Sequence, residues 1–211
     1  EDGGQLPPHV SDMVLDYINK INVFDVKTTT KEKALSDGTL VIIGEEIDKA
    51  YLAEVAKQAI NTDLNKSNFK LVYTPIHGSG NIPVRKILDM TGFKDVLLVE
   101  EQIEPNGAFP TVTSPNPENK ECFNLAIELA KKNDVNLIIG TDPDSDRVGI
   151  VVKNSEGEYI TISGNQVGAL LTEYILSQKK ARGELPSNGA VISTIVSTKI
   201  TKAICDEYKV K

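Results

Sequence analysis

Tryptophan is absent from this sequence, and aromatic residues make up only 5% of its 211 positions. Any core must therefore be built from Ile, Leu, Val and Ala. Cysteine occurs twice, at Cys122 and Cys205, each on the apolar face of an expected helix. Two cysteines so placed argue against a disulfide framework and read as buried free thiols in a reducing compartment. No apolar run approaches the roughly 20 residues that span a bilayer, so no membrane is expected as a partner. No secretory signal is read at the N-terminus, and a cytoplasmic setting is expected. The formal net charge is −7 and no basic stripe appears, which sets nucleic acid aside. A small anionic substrate stays open, because local cations outweigh net charge at a site.

What is present is a rhythm. Residues 1–9 are rich in Gly and Pro and read as a loop. Val10, Met13, Val14, Tyr17, Ile18 and Ile21 then follow helical spacing, with Pro8 near the helix start. Residues 27–38 are polar and read as a connector. From Thr39 apolar runs alternate with amphipathic stretches. "TLVIIG", "KLVYTPI", "DVLLVE", "VNLIIG" and "VGIVVK" read as strands. The first helix between them would turn Ile47, Tyr51, Leu52, Val55 and Ala59 inward. The next would stop at Gly92, and a later one would bury Cys122, Phe123, Ala126, Ile127 and Ala130. This alternation predicts an α/β fold, a three-layer α/β/α mixed sheet. The step from "VNLIIG" to "VGIVVK" is too short for a crossover helix, so those two should pair antiparallel.

After Gly157 the rhythm restarts. "EYITIS" and "AVISTIVS" read as strands. Between them a helix capped by Ser163 would turn Val167, Leu170, Leu171, Tyr174 and Ile175 inward. "TKITKAICDEYKVK" reads as a last helix. One strand and two helices cannot bury their own faces. The expected organisation is one complete domain plus flanking partial domains: 1–37 as the tail of a first domain and connector, 38–157 as the complete α/β/α domain, and 158–211 as the truncated start of a third.

The chemistry concentrates in "TDPDSDRVGI". Asp142, Asp144 and Asp146 sit at alternate positions just past a buried strand, and Arg147 follows. Alternate residues of an extended chain project to one side, about 7 Å apart. Three carboxylates gathered there must share protons or hold a cation. An all-oxygen donor set suits a hard ion, Mg²⁺ or Ca²⁺. The loop is not an EF-hand, because Arg147 stands where that loop needs Gly and Lys153 where it needs Glu. It fits a haloacid-dehalogenase loop poorly, because Asp146 stands where Thr or Val is needed. Three carboxylates with an open position suit Mg²⁺ that must also touch a phosphoryl oxygen, and the planar fork of Arg147 suits the phosphate itself. A solvated acidic turn would explain the same residues, but this turn caps a core strand.

Other stretches are less specific. "TPIHGSGN" places Gly78 and Gly80 between a strand and a helix, where free N–H groups could cradle an anion. It lacks the Gly-Lys-Ser/Thr of a P-loop. Taken alone it is better explained as a plain strand-to-helix turn, and His77 could shuttle a proton, although a lone His beside a Gly turn more often bonds to backbone. His77, Gly78 and Gly80 are the substrate-binding candidates. "NGAFPTVTSPNPEN" is a long loop that should end in a helix cap at Asn116, with Pro117 at the first helical position. Nothing resembles a Ser/His/Asp or Cys/His arrangement.

"TDPDSDRVGI" resembles the metal-binding loop of the α-D-phosphohexomutases, the phosphoglucomutase/phosphomannomutase family. "TPIHGSG", "FPTVTSPNPE" and "SGNQVGALL" are similar to matching segments of its long phosphoglucomutase branch, so the resemblance covers nearly the whole sequence. It implies four domains around a cleft, of which this chain holds the tail of the first, all of the second and the opening of the third. It implies that Asp142, Asp144 and Asp146 are Mg²⁺ ligands and that Arg147 contacts the phosphoryl group on a catalytic serine. It implies a phosphosugar substrate, a sugar bisphosphate intermediate, and the remaining domains of a parent chain as partners. The family's phosphoserine, sugar-recognition and phosphate-binding loops are not in this sequence, so this chain alone is expected to be inactive. Two alternatives stand beside this: a Mg²⁺-dependent dehalogenase-type phosphatase with Asp142 as nucleophile, and a non-catalytic metal-binding module.

Overall fold

The structure, a computed structural model, describes residues 4–211. The first three residues of the expected N-terminal loop lie outside the described residues. The chain divides into two compact units that part between Gly44 and Glu45. In the first, helix α1 (Pro8–Ile18) opens with Pro8 at its first position, where the missing N–H costs nothing. None of its residues is buried. The expected connector holds a short helix, α2 (Lys31–Ser36), because Thr30 caps it by accepting from the Lys33 N–H and Ala34 is buried. The run Thr39–Gly44 was expected as a strand and forms none. A strand exists by pairing its N–H and C=O groups, and this run contributes no rung to the sheet. Val41, Ile42 and Ile43 stay exposed.

The second unit contains helix α3 (Gly44–Ala56) from Glu45 onward, and the sheet. Only Leu52 of α3 is buried, and Ile47 and Tyr51, expected inward, are exposed. Strand β1 (Lys70–Thr74) leads to helix α4 (Asn81–Met90) and strand β2 (Asp95–Leu98). Gly92 stops α4 as expected: with φ at +98°, it lets the Phe93 N–H reach the Leu88 carbonyl at 2.9 Å. The long loop then enters a 3-10 turn (Lys120–Phe123) and helix α5 (Asn124–Asn133). Asn116 is not the helix cap. Its side chain accepts from the Glu118 N–H at 3.0 Å and closes a turn ahead of the helix. Strands β3 (Leu137–Thr141), β4 (Val148–Lys153) and β5 (Tyr159–Ile162) follow.

The sheet order is β2-β1-β3-β4-β5. The first three strands run parallel, and β3 pairs antiparallel with β4 as the short connection required. Strand β5 pairs antiparallel with β4, so the sheet runs on to Ile162. Val72, Ile138 and Val151 share one row across it and pack on Cys122, Phe123, Ala126, Ile127 and Ala130. The Phe123 ring lies over the paired Gly140 and Gly149, where a Cβ would stand 2.6 Å and 2.8 Å from it. On the opposite face, Val96 and Leu98 border a groove with Ile82 and Arg85 of α4. Helices thus cover both faces.

Beyond the sheet, helix α6 (Gly164–Ala181) starts with a full capping box, Ser163 and Gln166 each bonding the other's backbone. It meets helix α7 (Ile200–Tyr208) around Leu176, Cys205 and Val210. Leu170, Leu171, Tyr174 and Ile175, expected inward, are exposed, because α7 covers only one stripe of α6. "AVISTIVS" forms no strand. Both cysteines are buried free thiols. Among the described residues, no helix is long and apolar enough to cross a membrane.

Candidate metal centre

Parallel strands deliver their following loops to one edge. Strands β1 and β3 are adjacent, yet the chain leaves β1 toward β2 on one side before crossing to β3 on the other. The loops after β1 and β3 therefore meet at the switch point, where open α/β sheets leave a crevice for ligands. The loop after β3 carries the aspartates.

Asp142 is fully buried, while Asp144 and Asp146 are exposed. Arg147 folds back on Asp142. Its backbone N–H donates to Oδ1 at 3.0 Å and its Nε donates to Oδ2 at 2.7 Å. Burial opposes the charge on Asp142, but these donors outweigh it and hold the carboxyl below its usual range. Asp146 moves the other way. Its contact with the Asp142 side chain and the charge of Asp144 push its pKa up, with Arg147 opposing. The Arg147 guanidinium, half exposed, is held charged chiefly by Asp142.

One oxygen from each of Asp142, Asp144 and Asp146 lies within 4.8 Å of the others. An octahedral Mg²⁺ holds its ligands at ~2.1 Å, which spaces neighbouring oxygens about 3 Å and opposite ones about 4.2 Å apart. The three oxygens would therefore draw closer around an ion, and Asp144 and Asp146, both exposed, have room to move. Each Asp142 oxygen accepts one bond from Arg147 and keeps a second lone pair for a cation. The residues fit a hard divalent ion.

Arg147 also borders a cleft of about 630 Å³, lined further by Pro117, Gly149, Thr161, Ser163 and Ser197. Thr161 Oγ1 is buried there without a hydrogen-bond partner. The end of the long loop thus reaches the cleft through Pro117, a placement its composition alone did not decide.

The three substrate-binding candidates do not line that cleft. His77 is buried. Its Nδ1 lies 3.1 Å from the Glu104 carbonyl, which can only accept, so Nδ1 donates. Its Nε2 is 2.9 Å from Thr111 Oγ1, which also receives a bond from Gln102. Gln102 in turn accepts from Thr74 at 2.6 Å. Both ring nitrogens are thus committed to the protein. Gly78 and Gly80 pack against the aspartate loop, and the Ser79 N–H between them donates to the Pro143 carbonyl at 2.8 Å. That donor cannot serve an anion. Gln102, Thr111 and Ser79 carried no signal in the sequence, because their partners are distant along the chain.

A mixed α/β domain with three convergent carboxylates at its switch point has the donor set of a candidate hard-metal site. Residues 49–157 match the model of the phosphoglucomutase/phosphomannomutase alpha/beta/alpha domain II, and the chain belongs to that family. It is 34% identical over 210 residues to a phosphoglucomutase of Staphylococcus haemolyticus, covering 99% of this chain and 37% of that one. It is 37% identical over 189 residues to a phosphoribomutase of Saccharomyces cerevisiae, covering 83% of this chain and 30% of that one. The chain thus spans about a third of the length of such relatives. Among solved structures, a phosphoglucomutase/phosphomannomutase family protein from Burkholderia thailandensis aligns with a TM-score of 0.54 at 22% identity, over 73% of this chain and 31% of that one. The N-acetylphosphoglucosamine mutase of Aspergillus fumigatus, in complex with GlcNAc-6P and magnesium, aligns at 0.51 and 16%, over 78% and 34%. These two share the fold.

Proposed function

We propose that this chain is the metal-binding portion of a cytoplasmic phosphohexomutase, an isomerase that moves a phosphoryl group between C1 and C6 of a hexose phosphate. The observation that carries the reading is the convergence of Asp142, Asp144 and Asp146 within 4.8 Å, beside an arginine that opens on a cleft. Asp142, Asp144 and Asp146 would hold Mg²⁺. Bound there, the ion would neutralise charge on a transferring phosphoryl group, which suits a loose transition state. Arg147 would orient that phosphoryl group through its planar donors while Asp142 fixes the guanidinium. Asp142 as a dehalogenase-type nucleophile is disfavoured, because Asp146 stands where that loop needs Thr or Val.

The phosphoserine that exchanges the group, and the loops that read the sugar, would come from the remaining domains of a longer protein. In this reading residues 1–37 are the tail of domain I, 38–157 are domain II and 158–211 begin domain III. Exposed runs such as Val41–Ile43 would be covered by the rest of the protein. His77, Gly78 and Gly80 would support the site without touching substrate. Relatives named for glucose, mannose and ribose phosphates leave hexose or pentose as the sugar.

The test is conversion of hexose 1-phosphate to 6-phosphate with Mg²⁺ and a sugar bisphosphate primer. Activity is expected in the full-length protein and none in residues 1–211 alone. Hydrolysis of phosphate esters by residues 1–211 alone would replace the mutase with a phosphatase.

A further inference from the structure

The aspartates alternate with Thr141, Pro143 and Ser145, and those interleaved residues share one neighbour. Both the N–H and Oγ of Ser79 donate to the Pro143 carbonyl, at 2.8 and 3.0 Å. Ser79 Oγ also lies 3.5 Å from Ser145 Oγ. At Gly78 a Cβ would stand 2.4 Å from Pro143 Cα and 2.7 Å from its carbonyl oxygen. At Gly80 a Cβ would meet Ser145 Oγ and Thr141 Oγ1 at 2.6 Å and the Tyr73 hydroxyl at 2.7 Å. Tyr73 and Thr141 are themselves bonded at 2.9 Å. The turn after β1 is thus a floor on which the odd-numbered residues of the loop rest, and the even-numbered ones are the ligand candidates.

The floor is itself held in a costly shape. Ile76 and His77 are both left-handed, with φ of +47° and +60°. Such a conformation is unfavourable for a β-branched residue. It is fixed by the His77 N–H donating to the Gln102 carbonyl at 2.8 Å and by the two ring bonds of His77. A Mg²⁺ site tolerates little error, since its ligands sit at 2.0–2.1 Å in near-ideal octahedral geometry. A methyl group at Gly78 would push the Pro143 backbone by about 1 Å to reach ordinary contact, and Pro143 lies between two of the aspartates.

We infer that the turn Gly78-Ser79-Gly80 is the positioning element of the metal centre: it sets where the three carboxylates converge. This rests on the Mg²⁺ reading proposed above. The experiment is a Mn²⁺ titration of the full-length protein, followed by electron paramagnetic resonance well below its melting temperature. The unsubstituted protein is compared with Gly78→Ala, Ser79→Ala and Gly168→Ala, the last adding a methyl where nothing lies within 4 Å. Gly78→Ala should raise the Mn²⁺ Kd by about tenfold or more, as loss of ligand support does. Ser79→Ala removes one of two bonds to Pro143 and should raise it roughly fivefold. Gly168→Ala should match the unsubstituted protein. A purely structural role would lower melting temperatures and leave the Kd of folded protein alone. Unchanged Kd in both variants overturns the inference. If Gly78→Ala fails to fold, Ser79→Ala decides it by the same criterion. An unsubstituted protein that binds no Mn²⁺ overturns the metal reading, and this inference with it.

Discussion

Strand β3 and the run Ala190–Ser197 begin from similar sequence and end in different states. Both are short, both are rich in isoleucine, and periodicity reads both as strands. β3 has a neighbour on each side, β1 parallel and β4 antiparallel, and its Ile138 is fully buried. Ala190–Ser197 meets another segment of backbone at its start, and its later bonds, between Thr194 and Ser197, close a local turn. At the start the Val191 N–H donates to the Lys211 carbonyl at 2.7 Å, and the Lys211 N–H donates to the Gly189 carbonyl at 3.2 Å. Beyond that point Ile192 is 96% exposed. Apolar alternation records that a segment can be a strand, and the neighbours that satisfy its backbone decide whether it is one.

The comparison can be broken by substitution. The largest effect is expected from Ile138→Ala, which empties a fully buried position and should cost about 2–5 kcal/mol in urea unfolding. A smaller one is expected at Tyr73, which ties β1 to β3 through Thr141. Tyr73→Phe should cost about 1 kcal/mol. Burial pushes the Tyr73 phenol up to about 12 from an ordinary 10.0, against the bond to Thr141, which lowers it. Because the folded value is the higher one, this stabilisation is complete below pH 10 and is lost as pH rises toward about 12. Alkaline unfolding should show that loss in the unsubstituted protein, and Tyr73→Phe should remove it. The smallest effect is expected from Ile192→Ser, within about 0.5 kcal/mol. A cost at Ile192 matching that at Ile138 would erase the distinction between the two runs.

Much of the fold was legible because the sheet is built from its own local signals. Apolar runs marked β1 to β5, Gly92 marked a helix end, and the short β3–β4 connection dictated an antiparallel pair. Thr39–Gly44 and Ala190–Ser197 were misread because a partner, not a pattern, makes a strand. Leu170 and Leu171 were misread inward because a helical stripe does not say whether anything packs on it. At the site, the grouping of Asp142, Asp144 and Asp146 beside Arg147 was legible, because those residues are adjacent in sequence. The surroundings of His77, Gly78 and Gly80 were not. His77 meets Glu104 and Thr111 from the loop after β2, and Gly78 meets Pro143 after β3, so both neighbours of β1 are needed to bring these partners near.

The most direct test is anomalous diffraction from crystals of the protein soaked in Mn²⁺. The account predicts one strong peak within coordination distance of Asp142, Asp144 and Asp146 together. A peak elsewhere, or none between these carboxylates, would contradict it.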